Sequence, residues 1–262
     1  MKGRRMLGAI TGDIVGSIYE GHNHKSKDFP FFGQGCTFTD DTVCTIAVAD
    51  CLMNDGDFAD FLRRYVRKHP YRGYGGMFRE WAGSNMGPYN SWGNGSAMRV
   101  SPVAHVARDE QELLDLAEQT SVVTHNHPDA VAGAQATALA MWMEKFGIDV
   151  AAIREEISNR FDYNLSPSVD DIRPSYRFDI SCAGTVPQAI TCALEGTDYE
   201  DAVRNAISIG GDADTIACIT GGIAEVMFGL PDEIAEASLG YLTDDLIEVV
   251  DRFQSTKEET FP

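Results

Sequence analysis

The chain has 262 residues, is 44% apolar, and carries 40 acidic against 21 basic side chains, a formal charge of −19. That length and apolar share suffice for a sizeable core and for one domain spanning residues 1–262. The acidic balance argues against non-specific binding to nucleic acid or anionic membranes, which needs basic surface, and no apolar run is long enough to span a bilayer.

An anionic ligand would need local cations, from metals or from placed Arg and Lys. The six cysteines form no C-x-x-C pair and most fall in apolar helical runs, as free buried thiols do. Arg4-Arg5 before Met6-Leu7-Gly8-Ala9-Ile10 has the outline of a twin-arginine signal. Asp13 interrupts the apolar run, however, and no small-residue cleavage site follows, so the expected compartment is the cytoplasm.

Met6, Ile10, Ile14 and Ile18 recur every four residues and predict a first helix, with Gly8, Gly12 and Gly16 as a parallel stripe for close helix approach. Asp13 on it reads equally as a buried acid bonding backbone N–H groups and as a site residue. Residues 22–35 form a polar and aromatic loop long enough to be a lid. Thr39 can cap a helix from Asp40 to about Asn54, which puts Asp40 and Asp41 in its first turn. The same tripeptide recurs as Thr243-Asp244-Asp245 before the last helix, where no glycine-rich or second acidic element stands nearby and capping is the expected role.

Phe58, Phe61, Leu62, Tyr65 and Val66 make a short amphipathic helix with a solvated basic face of Arg63, Arg64, Arg67 and Lys68. From Pro70 to Gly95 the expectation is a loop rich in glycine and aromatics. Its glycines let backbone N–H groups approach phosphate oxygens, and its Tyr and Trp faces can stack on a base or ribose, which points to a nucleotide. Further helices are expected over Asp109–Ser121, Pro128 to about Phe146, Ala183–Leu194, Glu200–Ser208, Asp214–Phe228 and Thr243 to about Phe253. The segment Tyr163–Asp179 is expected to be an internal loop, and the tail at Lys257-Glu258-Glu259 to fray. Helical periodicity throughout, without alternating β-branched strands, predicts an all-α bundle.

The strongest chemical signal is Ile209-Gly210-Gly211-Asp212-Ala213-Asp214-Thr215, two carboxylates and a hydroxyl beside a Gly-Gly pair at a helix start. Thr39-Asp40-Asp41, about 170 residues upstream, offers the same groups. Four carboxylates and two hydroxyls brought together suit a hard cation such as Mg²⁺ or Mn²⁺, although either half alone reads as an ordinary cap. His125 and His127 read first as structural, with a phosphate or ribose contact as the alternative; no third nitrogen or sulfur ligand supports zinc.

Gly8-Ala9-Ile10-Thr11-Gly12-Asp13, Phe38-Thr39-Asp40-Asp41-Thr42, Gly93-Asn94-Gly95-Ser96-Ala97-Met98-Arg99, Thr124-His125 and Ser208-Ile209-Gly210-Gly211-Asp212-Ala213-Asp214-Thr215, in that order, resemble the ADP-ribosylglycohydrolase family over nearly the whole chain. The resemblance implies a compact orthogonal multi-helix bundle with a binuclear Mg²⁺ or Mn²⁺ site in a cleft. It also implies hydrolysis of the bond joining the terminal ribose of ADP-ribose to an acceptor, on an ADP-ribosylated protein or a small-molecule conjugate.

Position by position, it implies metal binding at Thr39, Asp40, Asp41, Asp212, Asp214 and Thr215. It assigns diphosphate contacts to Gly73, Gly75 and Gly76, phosphates and distal ribose to Ser91, Trp92, Gly93 and Asn94, and a place near the substrate to His125. Glu20, after Gly16-Ser17-Ile18-Tyr19, resembles a glutamate of the branch that cleaves serine-linked ADP-ribose, a tilt toward serine over arginine linkage. Trp92 departs from the family's tyrosine. The candidate catalytic acids are Glu20, Asp41 and Asp212, and the chain is expected to be a monomer. Two alternatives from other classes are an ADP-ribose-binding module without turnover and a metal-dependent nucleotide diphosphate hydrolase.

Overall fold

The computed structural model describes residues 5–256; the tail expected to fray lies outside the described residues. Among the described residues there are fifteen helices and no strand. They are α1 (Leu7–Gly16), α2 (Asp40–Met53), α3 (Phe58–Lys68), α4 (Gly76–Gly83), α5 (Gly95–Met98), α6 (Ser101–Val106), α7 (Glu110–Val122) and α8 (Pro128–Lys145). There follow α9 (Val150–Phe161), α10 (Val169–Ile172), α11 (Cys182–Leu194), α12 (Tyr199–Ser208), α13 (Ala213–Phe228), α14 (Asp232–Leu239) and α15 (Asp244–Ser255).

The all-α expectation holds, and the periodic helices appear with ends shifted by a residue or two. The segment 70–95 departs from its expected loop, because Phe78, Trp81 and Ala82 bury one face of α4 there. Three apolar positions among so many glycines gave too short a period to read. In the segment 163–179, Ser168 and Asp171 form a reciprocal capping box that starts the short α10.

The centre of the fold is α1 lying on α13. Every residue of α1 is buried, as is α13 from Ala213 to Glu225. The glycine stripe is the cause of their close approach: a Cβ on Gly12 would lie 1.9 Å from the Ala217 carbonyl oxygen, and one on Gly16 2.5 Å from Asp214 Cα. Backbone therefore packs on backbone, and the end of α1 is set against the start of α13. The buried Tyr199 hydroxyl of α12 donates to the Gly8 carbonyl at 2.7 Å, tying a third helix to the pair.

Asp13 fastens α2 to this centre. Its carboxylate accepts from Thr39 N (2.9 Å), Thr39 Oγ1 (2.6 Å), Thr42 N (3.2 Å) and the Thr42 hydroxyl. The observed role is thus that of a buried acid satisfying the free N–H groups of a helix start.

The repeat at Thr243-Asp244-Asp245 behaves differently from an ordinary cap. Thr243 sits at the N-cap of α15, but its hydroxyl accepts no bond from the helix. Its hydroxyl donates to Asp245 (2.6 Å), which pairs with Lys68 (2.7 Å) and His69 (2.9 Å) at the end of α3. All six cysteines are buried free thiols. Among the described residues, no helix is long and apolar enough to cross a membrane.

Candidate active site

Two helix starts with the same chemistry are built in different ways. At α2, the extended Thr39 is a true N-cap whose hydroxyl accepts from Asp41 N (3.3 Å) while donating to Asp13. One lone pair of that oxygen is left over. At α13, Asp212 occupies the cap position but makes no capping bond, so its carboxylate is not committed to its own helix.

The turn before it requires glycine twice. Gly210 and Gly211 have φ of 71° and 81°, and side chains there would meet Asn23 and Tyr176. The bare turn lets the segment after Glu20 close over it: Gly21 N donates to Gly211 O at 3.1 Å, and the Lys25 ammonium donates to the carbonyls of Ile209 and Tyr176.

These elements surround a cavity of about 490 Å³. Asp40, Asp41, Asp212, Asp214, Thr215 and Glu20 line it, as do Gly73, Gly75 and Gly76, then Ser91, Trp92, Gly93 and Asn94, and His125. Of the residues that the family resemblance assigns to the site, Thr39 alone is not among the lining residues, its hydroxyl being bonded to Asp13; Asp13 and His127 do not line it either. Carboxylate oxygens of Glu20, Asp212 and Asp214 lie within 4.8 Å of one another, with Glu20 exposed and the two aspartates buried.

The electrostatics of the acids are those of crowded charge without compensation. Burial, then the charge of Asp13, push Asp40 up to about 8. Burial followed by Asp13, Asp40 and Asp212 holds Asp41 well above the usual carboxylate range, and burial followed by Asp41 and Asp212 does the same for Asp214. Glu20 is raised by burial, Asp212 and Asp13.

Asp212 is raised by burial, against which the amide of Asn94 works. Asn94 Nδ2 donates to Asp212 Oδ2 at 2.6 Å and to Thr185 Oγ1 at 3.1 Å, so its side chain orients an acid rather than standing free in the cleft. Asp41 Oδ2 is buried and bonds to no protein group. An all-oxygen donor set with surplus negative charge and an unused buried carboxylate oxygen fits a hard divalent cation.

The other wall is apolar and aromatic. Trp92, Phe178 and Ile180 are each about half exposed at the rim, while Tyr89, Phe78 and Met98 lie deeper. Phe178 and Ile180 were not legible as site residues; their only signal was two apolar side chains in a polar segment. They reach the cleft because that segment is zipped to the glycine loop, with Asn94 N donating to Ile180 O (2.8 Å) and Cys182 N to Trp92 O (3.1 Å).

An all-α fold with a cleft that joins converging acids to glycine and aromatic walls has a donor set and a shape that suit a hard cation and a ring-bearing anionic ligand. The ADP-ribosylglycohydrolase family model matches residues 5–260, and the chain belongs to that family of glycohydrolases. It is 24% identical to ADP-ribosylhydrolase ARH3 of Homo sapiens, covering 92% of this chain and 90% of that protein. To ADP-ribosylarginine hydrolase Tri1 of Pseudomonas putida it is 25% identical, over 86% of this chain and 70% of that one. A solved structure titled ADP-ribosylglycohydrolase-related protein complex superposes with a TM-score of 0.69 at 22% identity, over 97% of this chain and 95% of the other, a likeness of fold.

Proposed function

We propose that this protein hydrolyses the glycosidic bond between ADP-ribose and an acceptor, with an ADP-ribosylated protein side chain as substrate and serine linkage favoured over arginine linkage. The observation that carries this reading is the meeting of Asp40, Asp41, Asp212 and Asp214 with glycine and aromatic walls in one cleft. The tilt toward serine rests on Glu20 and its resemblance to a glutamate of the serine-cleaving branch.

Thr39, Asp40, Asp41, Asp212, Asp214 and Thr215 would hold two divalent cations, Mg²⁺ or Mn²⁺. Such a pair, when bound, supplies Lewis-acid polarisation and fixes neighbouring hydroxyls of the ribose. Asn94 keeps the Asp212 carboxylate turned toward the acids, and Asp13 keeps the first turn of α2 in register with them. Glu20 is the one acid of its trio that solvent reaches, and its raised pKa suits it to hold and pass a proton at the bond being cleaved. The rim of Trp92 and Phe178 offers flat apolar faces for the adenine, and the glycines at 73, 75 and 76 leave room for the diphosphate.

The test is product analysis after incubation with serine- and arginine-linked ADP-ribosyl peptides, with Mg²⁺, Mn²⁺ or a chelator. The expected result is metal-dependent release of intact ADP-ribose, faster from the serine peptide, and its loss in Asp212→Asn with the fold retained. Release of AMP instead, or chelator-resistant turnover, would overturn the reading.

A further inference from the structure

Arg99 is fully buried just below the cleft wall, and among the described residues it has no carboxylate partner. Its Nη2 donates to the Thr120 carbonyl (2.7 Å) and to Thr124 Oγ1 (2.9 Å), while Nε and Nη1 meet no acceptor. Thr124, also wholly buried, has one other side-chain partner, His125 Nδ1 at 2.7 Å.

The proton count along this chain has one satisfactory solution. Arg99 can only donate, so the Thr124 oxygen accepts from it. A buried hydroxyl proton must then find an acceptor, and among the described residues His125 Nδ1 is the one it meets. With the Nδ1 lone pair so occupied, the ring proton sits on Nε2. That nitrogen faces the glycine turn: a Cβ on Gly95 would lie 3.0 Å from it and one on Gly93 3.6 Å. Both glycines line the cleft, and among the described residues Nε2 has no protein hydrogen-bond partner.

The geometry points to a relay, Arg99 to Thr124 to His125, that fixes His125 as the neutral Nε2–H tautomer and presents it as a donor to a phosphoryl oxygen of the bound ligand. The ligand half rests on the ADP-ribose reading above; the tautomer does not. The relay leaves the ring a donor without making it a cation, so the His125 contact itself does not vary with pH across the neutral range.

The groups packed around it agree. Arg99 is the one charge acting on His125, and burial with that charge holds the ring well below its ordinary pKa. Tyr89 and Cys182, both pushed up to about 12, and Cys44, held well above its ordinary value by burial, stay neutral beside Arg99. Among the described residues no carboxylate pairs with the His125 ring.

The test begins with long-range proton–nitrogen spectra of the ¹⁵N-labelled, chelated full chain between pH 5.5 and 8. A protonated Nε2 and an unprotonated Nδ1 at His125 throughout are expected. An Nδ1–H tautomer, or a ring that titrates in that range, would overturn the relay.

Binding of ADP-ribose in the presence of Mg²⁺ is then measured over the same range. At each pH the affinity is expected to be about tenfold weaker in Thr124→Val than in the parent and restored in Thr124→Ser, which keeps the hydroxyl, with a parent-to-valine ratio that does not change with pH. Equal affinity in the valine variant, checked to be folded, would overturn the recognition role. A correct tautomer with no ADP-ribose binding by any form would remove the ligand assignment and the nucleotide reading while leaving the relay in place.

Discussion

Removing divalent cations should make this protein lose stability as the pH rises, opposite to what unpaired surface acids do. Asp40 shows why. Its folded pKa is raised from an ordinary 3.8 to about 8, so between those values the folded state binds more protons than the unfolded one. Stability contributed by the protonated form is full below about pH 4 and is lost as pH rises toward 8.

The whole shift would correspond to about 6 kcal/mol. Asp40 is partly exposed, and the acids share their protons, so solvent screening and coupling reduce the loss to roughly 3 kcal/mol. For a chain of 262 residues that is a fall in Tm of about 6 °C between pH 5 and 8. Asp41, Asp212, Asp214 and Glu20 shift in the same direction and add to the trend.

The assay is thermal unfolding in EDTA at pH 5, 6, 7 and 8, repeated with millimolar Mg²⁺ or Mn²⁺. A cation binds the deprotonated acids, so its stabilisation should grow with pH and reverse the loss. A chelated protein equally or more stable at pH 8 than at pH 5, with no gain from either metal, would refute the picture of uncompensated acids.

Other perturbations test the scaffold around those acids. Gly12→Val drives a side chain into the Ala217 carbonyl and should cost about 3 kcal/mol, read as a lower urea midpoint. Asn94→Ala frees the Asp212 carboxylate from its 2.6 Å bond; calorimetric titration should show Mn²⁺ affinity falling about tenfold with little change in fold. Lys25→Met removes the two carbonyl contacts that hold the segment after Glu20 on the Gly210-Gly211 turn. Hydrogen exchange at the Gly21 amide should then quicken about tenfold, and unchanged protection would mean that the ammonium is not what holds the segment down.

Much of this molecule is legible in the sequence because its physics is local. A four-residue apolar period with glycines in register announces α1 and its close partner, since helix geometry alone puts those positions on common faces. Asp or Thr at a helix start and Gly-Gly at a turn likewise follow from the needs of a few neighbouring backbone groups. The amino-acid order therefore determined an all-α fold, two acid-bearing helix starts and a loop suited to phosphates.

It separated the two identical tripeptides only through the motifs around them; the tripeptide itself did not determine which would be part of the cleft. Thr39-Asp40-Asp41 and Thr243-Asp244-Asp245 differ only in what the fold sets against them: Asp13 and α13 in one case, Lys68 and His69 in the other. Nor could it assign Asn94 to Asp212 or bring Phe178 to the rim, because those contacts join segments far apart in the chain. Their energies depend on burial and on opposing charge, which exist only once the helices have packed.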